Sequence, residues 1–246
     1  MKILGVIPSR FGSTRFPGKP LVEIKGKSMI QRVYEQCMKA KNFEKIIVAT
    51  DNQRIFNHVE SFGGAVVMTS PKHSTGTDRC AEVLEKYSDE CDVVVNIQGD
   101  EPLIEPGQLD LIASAFERES CQISTLVKKI NTQEILFDYS KVKVVRDVMG
   151  RALYFSRAAI PFQSKDQGSW LDYHTYWNHI GIYAYKAEVL SKISALDPSA
   201  LEDAESLEQL RWLEAGYTID TLETNHNSIS VDIPKDIDRV IAILNS

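Results

Sequence analysis

The stretch KILGVIPSRFGSTRFPGKPL, residues 2–21, joins a short apolar run to a loop that carries Arg10, Arg15 and Lys19, with glycines at 12 and 18. A run apolar at nearly every position predicts a strand buried on both faces, the mark of a parallel sheet covered by helices. Open sheets of this kind bind ligands beyond the carboxyl ends of their strands, and the loop leaves the first strand at that end. Glycines let the backbone approach a ligand and aim N–H groups at it. Arginine forks onto phosphate oxygens and lysine adds a point charge, so the loop suits a triphosphate, with a merely solvated basic turn as the alternative. It is not a P-loop, because five residues rather than four separate Gly12 from Gly18 and Pro20 follows Lys19 in place of a metal-binding hydroxyl. The dinucleotide pattern G-x-G-x-x-G is absent as well.

The alternation continues outward from this stretch. SMIQRVYEQCMKA has helical spacing behind Ser28, an expected N-cap, and KIIVAT is an apolar strand. DNQRIFNHVESFG is expected as a helix capped by Asp51 and ended by Gly63. AVVM, TDRCAEVLEKY, CDVVVNIQ and GQLDLIASAFERE then read as strand, helix, strand and helix. Apolar strands alternating with amphipathic helices imply a doubly wound α/β sheet. From about Ile123 the rhythm changes: ISTLVKKI, KVKVVRD, RALYFSRAAI and HIGIYAYK have the look of antiparallel strands. A helix over ESLEQLRWLEAG, a strand YTIDTLE and a last helix KDIDRVIAILN close the chain. The expected fold class is α/β, a three-layer, mostly parallel sheet with a mixed α+β insertion. Residues 1–127 plus 219–246 form the nucleotide-binding core and 128–218 the inserted segment, within a single structural domain.

The chain has 246 residues and a net charge of −6. That balance disfavours loose adhesion to nucleic acid or anionic membrane, so a polyanion site has to be local. No run approaches the length of a membrane span, and the N-terminus lacks the pattern of a signal peptide. A cytoplasmic protein is expected, with Cys37, Cys80, Cys91 and Cys121 as reduced, buried thiols.

Two acids fall at strand ends on the loop's side of the sheet. Asp100, in NIQGDEP, follows the fourth strand, and Asp232, in SVDIPKD, precedes the last helix. Either one alone is as well explained by a turn or a helix cap. Reaching one phosphate site together, they suit a magnesium ion, which takes one or two carboxylates plus phosphate oxygens and water.

The motifs IPSRFGSTRFPGKPL, TDRCAEV, NIQGDEPLI, ALYFSRAAIPF, HIGIYAY, LEQLRWLEAGY and VDIPKDIDRV resemble those of the CMP-Kdo synthetases, the 3-deoxy-manno-octulosonate cytidylyltransferases, in order along nearly the whole chain. The resemblance implies the nucleotide-diphospho-sugar transferase fold. It also implies the reaction of CTP with 3-deoxy-manno-octulosonate (Kdo) to give CMP-Kdo and diphosphate, for lipopolysaccharide biosynthesis. Magnesium is the implied cofactor, and the insertion would bind the sugar acid and join a homodimer. It further implies that Arg10, Ser13, Arg15 and Lys19 hold the triphosphate, and that Thr77, Asp78, Arg79 and Gln98 contact the nucleotide. Asp100 and Asp232 would hold the metal, with Arg15 and Lys19 beside them in catalysis. Arg157, His179, Tyr183, Glu208 and Gln209 would hold the sugar acid. Arginine is a natural fork for its carboxylate, and the other four supply the mixed donors and acceptors a polyol needs. The same transfer to a related acid, 8-amino-Kdo or a sialic acid, is the alternative. Of the other histidines, His58, His73, His174 and His226 show no metal-like spacing and read as surface or core residues.

Overall fold

In the computed structural model, which describes residues 1–12, 16–87, 91–165, 168–226 and 229–245, the opening apolar run is a strand, β1 (Ile3–Ser9), buried along nearly its whole length. Its residues alternate between two cores. Ile3 and Ile7 face one, and Leu4 and Val6 the other. A strand with both faces covered must sit inside a sheet, and β1 does, between β4 (Lys45–Thr50) and β6 (Val93–Asn96), parallel to both. A short hairpin of β2 (Glu23–Ile24) and β3 (Lys27–Ser28) stands apart.

Among the described residues the main sheet has nine strands. β5 (Val66–Met68) lies outside β4. On the other side of β6 come β10 (Trp177–Lys186), β7 (Ile123–Lys129) and β11 (Ile219–Glu223), giving the order β11-β7-β10-β6-β1-β4-β5. Within that row β10 alone runs against its neighbours, pairing antiparallel with both β6 and β7. β8 (Lys143–Arg146) pairs with the start of β10 and, in an antiparallel hairpin, with β9 (Ala152–Ser156). Segment 128–218 therefore supplies both this hairpin and a strand in the middle of the sheet.

Helices α1 (Met29–Cys37), α2 (Gln53–Ser61) and α4 (Pro106–Ser114) cover one face, sharing the core of Ile7, Val48 and Val95. Helices α3 (Gly76–Tyr87), α6 (Ala187–Ile193) and α8 (Gln209–Glu214) cover the other, around Val6, Ile47 and Tyr185. The last helix, α9 (Asp236–Leu244), packs Val240 against Ile24 and Val231. This is the expected three-layer architecture.

Two local expectations change. Ser28 caps α1 as expected, accepting from the Gln31 N–H. The cap of α2 is Asn52, whose side chain accepts from the Arg54 N–H, and not Asp51. Asp51 instead receives the guanidinium of Arg79 at 2.5 Å. The helix expected over 205–216 is shorter, and a separate helix precedes it. α7 (Ala200–Glu205) ends at Ser206, which turns left-handed at φ 53°, and α8 starts only at Gln209. Glu208 thus stands at the entry of α8 rather than inside a longer helix.

Candidate active site

The carboxyl end of β1 leads into the basic loop, which the Gly18 N–H closes by bonding the Phe11 carbonyl at 3.0 Å. Gly18 is left-handed at φ 73°, a conformation glycine adopts without strain, and it starts the 3-10 turn Lys19–Leu21. Pro20 is buried in that turn and the lysine beside it is thereby aimed inward. Its ammonium donates to Asp100 Oδ2 at 2.7 Å and to the Val231 carbonyl at 2.9 Å, and lies 3.9 Å from Asp232 Oδ1. The Val231 N–H also bonds the Asp100 carbonyl at 2.9 Å, so the two acid-bearing segments are tied together through the backbone. Residues 19, 100 and 232 meet at one point.

They share a cavity of about 270 Å³ with Ser9, Arg10, Gln98 and the start of α3. Gly99 lets the loop after β6 lie against β1. A Cβ there would stand 2.8 Å from the Pro8 carbonyl oxygen. Ser9 is buried, and its hydroxyl has no hydrogen-bond partner among the described residues. A buried hydroxyl without a partner is costly unless a ligand or water completes it. Ser13 and Arg15 lie outside the described residues.

The residues of GTDR divide by role. Thr77 is buried and donates to Glu208 Oε2 at 3.0 Å. Asp78 folds back on its own turn, accepting from the Thr75 N–H at 3.1 Å and the Ser74 hydroxyl at 3.3 Å. Arg79 lines the cavity, but its guanidinium is held by Asp51, by Thr69 Oγ1 at 2.8 Å and by the Ser70 carbonyl at 3.3 Å. Gln98 donates to the Gly181 carbonyl at 2.7 Å, which joins the cavity to the irregular middle of β10.

Thr77 and Glu208 belong to a group of buried and half-buried polar side chains that do not line this cavity. The Tyr183 hydroxyl, Gln209 Nε2 and Trp212 Nε1 have no hydrogen-bond partner among the described residues. Glu208 is pushed above the usual carboxyl range by burial, against the Thr77 bond that lowers it. The Tyr183 hydroxyl is pushed up by burial and by the nearby Tyr185 and Glu208. His179 shares a hydrogen bond of 2.9 Å with Thr125 and packs against Phe155 and Tyr183, and burial pushes its pKa down to about 3. It also borders a second cavity of about 920 Å³ that reaches Gly181 and Glu101, next to Gln98 and Asp100 of the first. Arg157 is half-buried, its guanidinium donating to the backbone carbonyls of Glu205 at 2.8 Å, Tyr139 at 3.3 Å and Ser206 at 3.3 Å. The carboxylate of Glu205 holds the strand end itself, through the Ser156 hydroxyl and the Arg157 N–H.

A cation loop and two acids gathered around one cavity at the end of β1 describe a site for moving a phosphoryl-linked group. Known proteins agree. The chain matches the Cytidylyltransferase family over residues 4–223. A 3-deoxy-manno-octulosonate cytidylyltransferase of Bacteroides thetaiotaomicron is 52% identical over 96% of this chain and 96% of its own length.

The chain belongs to the 3-deoxy-manno-octulosonate cytidylyltransferase family.

A second member, from Parabacteroides distasonis, is 49% identical over 99% of this chain and 98% of its own. A solved structure of CMP:2-keto-3-deoxy-manno-octonic acid synthetase complexed with CTP superposes with a TM-score of 0.92 at 41% identity, covering 100% of this chain and 99% of that one. In this cytidylyltransferase, sequence reasoning passed over Ser9 and His73, which both line the cavity. Ser9 ends the strand that opens the site and His73 stands three residues before Gly76. Position relative to those motifs is the only signal that marks either of them.

Proposed function

We propose that the chain transfers the cytidylyl group of CTP to Kdo, giving CMP-Kdo and diphosphate. The observation that carries the reading is the meeting of Lys19 with Asp100 and Asp232 on one cavity, which Arg10 and Gln98 also line. The names of the relatives and the CTP complex of the solved neighbour support it.

In this reaction the anomeric hydroxyl of Kdo attacks the α-phosphorus. A P–O bond forms, the bond to the β-phosphate oxygen breaks, and diphosphate leaves with the electron pair while the hydroxyl gives up its proton. Transfers of this kind depend on alignment and charge neutralisation. Lys19 and Arg10 face the cavity and neutralise the phosphate chain, and the Ser9 hydroxyl is free to donate to it. Arg15 and Ser13 join them by family likeness. By family likeness Arg157, Tyr183, Glu208 and Gln209 contact the sugar acid, and for Arg157 to be the fork for its carboxylate the guanidinium must leave the carbonyls of Glu205, Tyr139 and Ser206. His179, neutral by burial, presents a ring without charge beside them.

Asp100 and Asp232 fit a magnesium ion. Both send a carboxylate oxygen toward one point, marked by the Lys19 ammonium, and hard oxygens are the donors this ion takes. No cluster of three potential ligands occurs among the described residues, which leaves the remaining positions to phosphate oxygens and water. When bound, the ion supplies Lewis-acid stabilisation of the phosphoryl charge.

The same proposal covers the setting. A homodimer is supported by exposed apolar side chains concentrated in the insertion, among them Phe137, Tyr139, Val148, Met149 and Phe162. Supply of CMP-Kdo to lipopolysaccharide synthesis in the cytoplasm agrees with four free, buried cysteines. No helix among the described residues is long and apolar enough to cross a membrane.

The test is diphosphate release from CTP and magnesium, with Kdo, 8-amino-Kdo and a sialic acid as parallel acceptors. CMP-Kdo forming fastest is the expected result. Diphosphate release that ignores the acceptor, or that prefers one of the other two acids, overturns it. Light scattering reads the dimer, and Phe162→Asp is expected to shift it toward monomer.

A further inference from the structure

The cavity has two kinds of wall. Lys19, which suits a phosphate, gathers on one with Asp100 and Asp232, which would meet phosphates through a bound cation. The loop from β5 to α3 forms another, through His73, Ser74, Thr75 and Gly76, where the nucleoside would lie if the phosphates sit at Lys19. Most side chains there are already engaged. The Ser74 hydroxyl donates to Asp78, Thr75 Oγ1 accepts from the Asp78 N–H, and the Arg79 guanidinium is bound to Asp51, Thr69 and Ser70.

His73 differs. Its Nε2 lies 2.6 Å from Glu82 Oε2, and its Nδ1 forms no hydrogen bond among the described residues. Glu82 is itself fixed: Oε2 also accepts from the Ser70 N–H at 2.7 Å, and Oε1 takes the Lys86 ammonium at 3.0 Å. Burial pushes the Glu82 pKa up, but those bonds and the one to His73 outweigh it and hold it at about 2. An ionised carboxylate only accepts, so a ring proton sits on Nε2, and the tautomer with that single proton leaves Nδ1 as an acceptor. Cytosine and uracil differ at C4, where cytosine carries an amine donor and uracil a carbonyl acceptor.

We propose that His73 selects the pyrimidine by accepting a hydrogen bond from the exocyclic amine of cytosine through Nδ1, with Glu82 as the positioning residue that fixes its tautomer. The inference rests on the CTP reading above and adds the residue that makes the site prefer CTP to UTP. A carbonyl placed against Nδ1 sets two acceptors face to face, and an analogue with no C4 substituent leaves Nδ1 unpaired.

The test compares kcat/KM for CTP, UTP and the pyrimidin-2-one riboside triphosphate, which lacks the amine. The wild-type enzyme is expected to favour CTP over the amine-less analogue by about 10-fold to 100-fold, the range one hydrogen bond supplies. His73→Phe is expected to remove most of that preference, acting on CTP while sparing the analogue. His73→Asn, which keeps an acceptor near the Nδ1 position, is expected to restore part of it. Glu82→Leu is expected to lower the same ratio, and His73→Phe with Glu82→Leu to lower it no further than His73→Phe alone. A wild-type enzyme that uses CTP and the analogue equally well overturns the proposal without any variant. So does a His73→Phe enzyme, folded by its melting curve, that keeps the full CTP preference. Failure of the wild type to use CTP at all, with Kdo present, overturns the cytidylyltransfer reading instead.

Discussion

Arg79 stands in a motif that faces the nucleotide, yet its guanidinium is occupied by the protein. The structure makes the energetic consequence of that arrangement testable. The Arg79 side chain is 4% exposed and its partner Asp51 19%, at 2.5 Å. Asp51→Ala leaves a buried cation with only two neutral acceptors, Thr69 Oγ1 and the Ser70 carbonyl. Removing one member of a buried pair costs about 3–5 kcal/mol, and the two surviving hydrogen bonds place this case near the lower figure, about 3 kcal/mol. For a chain of this size each kcal/mol lowers the melting temperature by about 2–4 °C, so a fall of about 6–12 °C is expected. Replacing both partners, Arg79→Met with Asp51→Leu, removes charge and counter-charge together and is expected to cost far less than Asp51→Ala alone. Urea unfolding of the wild type, the single variants and the pair gives the coupling energy, and KM for CTP is measured on each variant that folds. An Asp51→Ala protein that melts within about 2 °C of the wild type refutes the reasoning. An Arg79→Met protein of unchanged stability whose KM for CTP rises returns the guanidinium to the nucleotide.

Asp100→Asn keeps the side chain's size and removes its charge, and turnover is expected to fall by about 100-fold or more with an unchanged melting curve. Near-normal turnover would remove Asp100 from the chemistry. Lys143 is fully buried and its ammonium donates to the carbonyls of Asp138, Lys141 and Arg157 at 2.8, 2.6 and 2.5 Å. Lys143→Met is therefore expected to destabilise the protein by about 2–4 kcal/mol and to raise KM for Kdo more than for CTP, by loosening the segment that carries Arg157. Equal effects on both KM values would count against that link. His179 titrates near 6.5 when unfolded and, by burial, near 3 when folded. Its neutral ring therefore contributes stability that is fully present above pH 6.5 and is lost as the pH falls toward 3. Urea unfolding at pH 7.5 and at pH 4.5 is expected to show a smaller loss in His179→Gln than in the wild type, and parallel losses would refute the assignment.

The parts of this fold that were legible in the sequence are those that local physics determines. The opening run became β1 because four apolar side chains, Ile3, Leu4, Val6 and Ile7, need cover on two faces. Ser28 became a cap because a hydroxyl before an amphipathic run has one good use. Asp51 and Asn52 show where that kind of reading stops. Both are good caps, they are adjacent, and the choice between them was made by Arg79, twenty-eight residues away, which took the carboxylate and left the amide to the helix. Ser206 is a second case: no glycine marks the break between α7 and α8, and a serine bears the left-handed turn. The site follows the same division. Each of Lys19, Asp100 and Asp232 is conspicuous by itself, but each has an ordinary local explanation as a turn or cap residue. What removes that explanation is tertiary. The Val231 N–H on the Asp100 carbonyl and the Lys19 ammonium on the Val231 carbonyl draw three distant segments together, leaving two carboxylates and one cation around a single point. The first joins two backbone groups and the second ends on one, so side-chain types along the chain do not reveal which segments meet. The position of β10 is equally hidden, since the antiparallel strand seated between β6 and β7 brings Tyr183 level with Asn96 only through pairing across the sheet. Residue types at the site were thus open to inspection from the start, whereas their convergence depended on long-range backbone pairing.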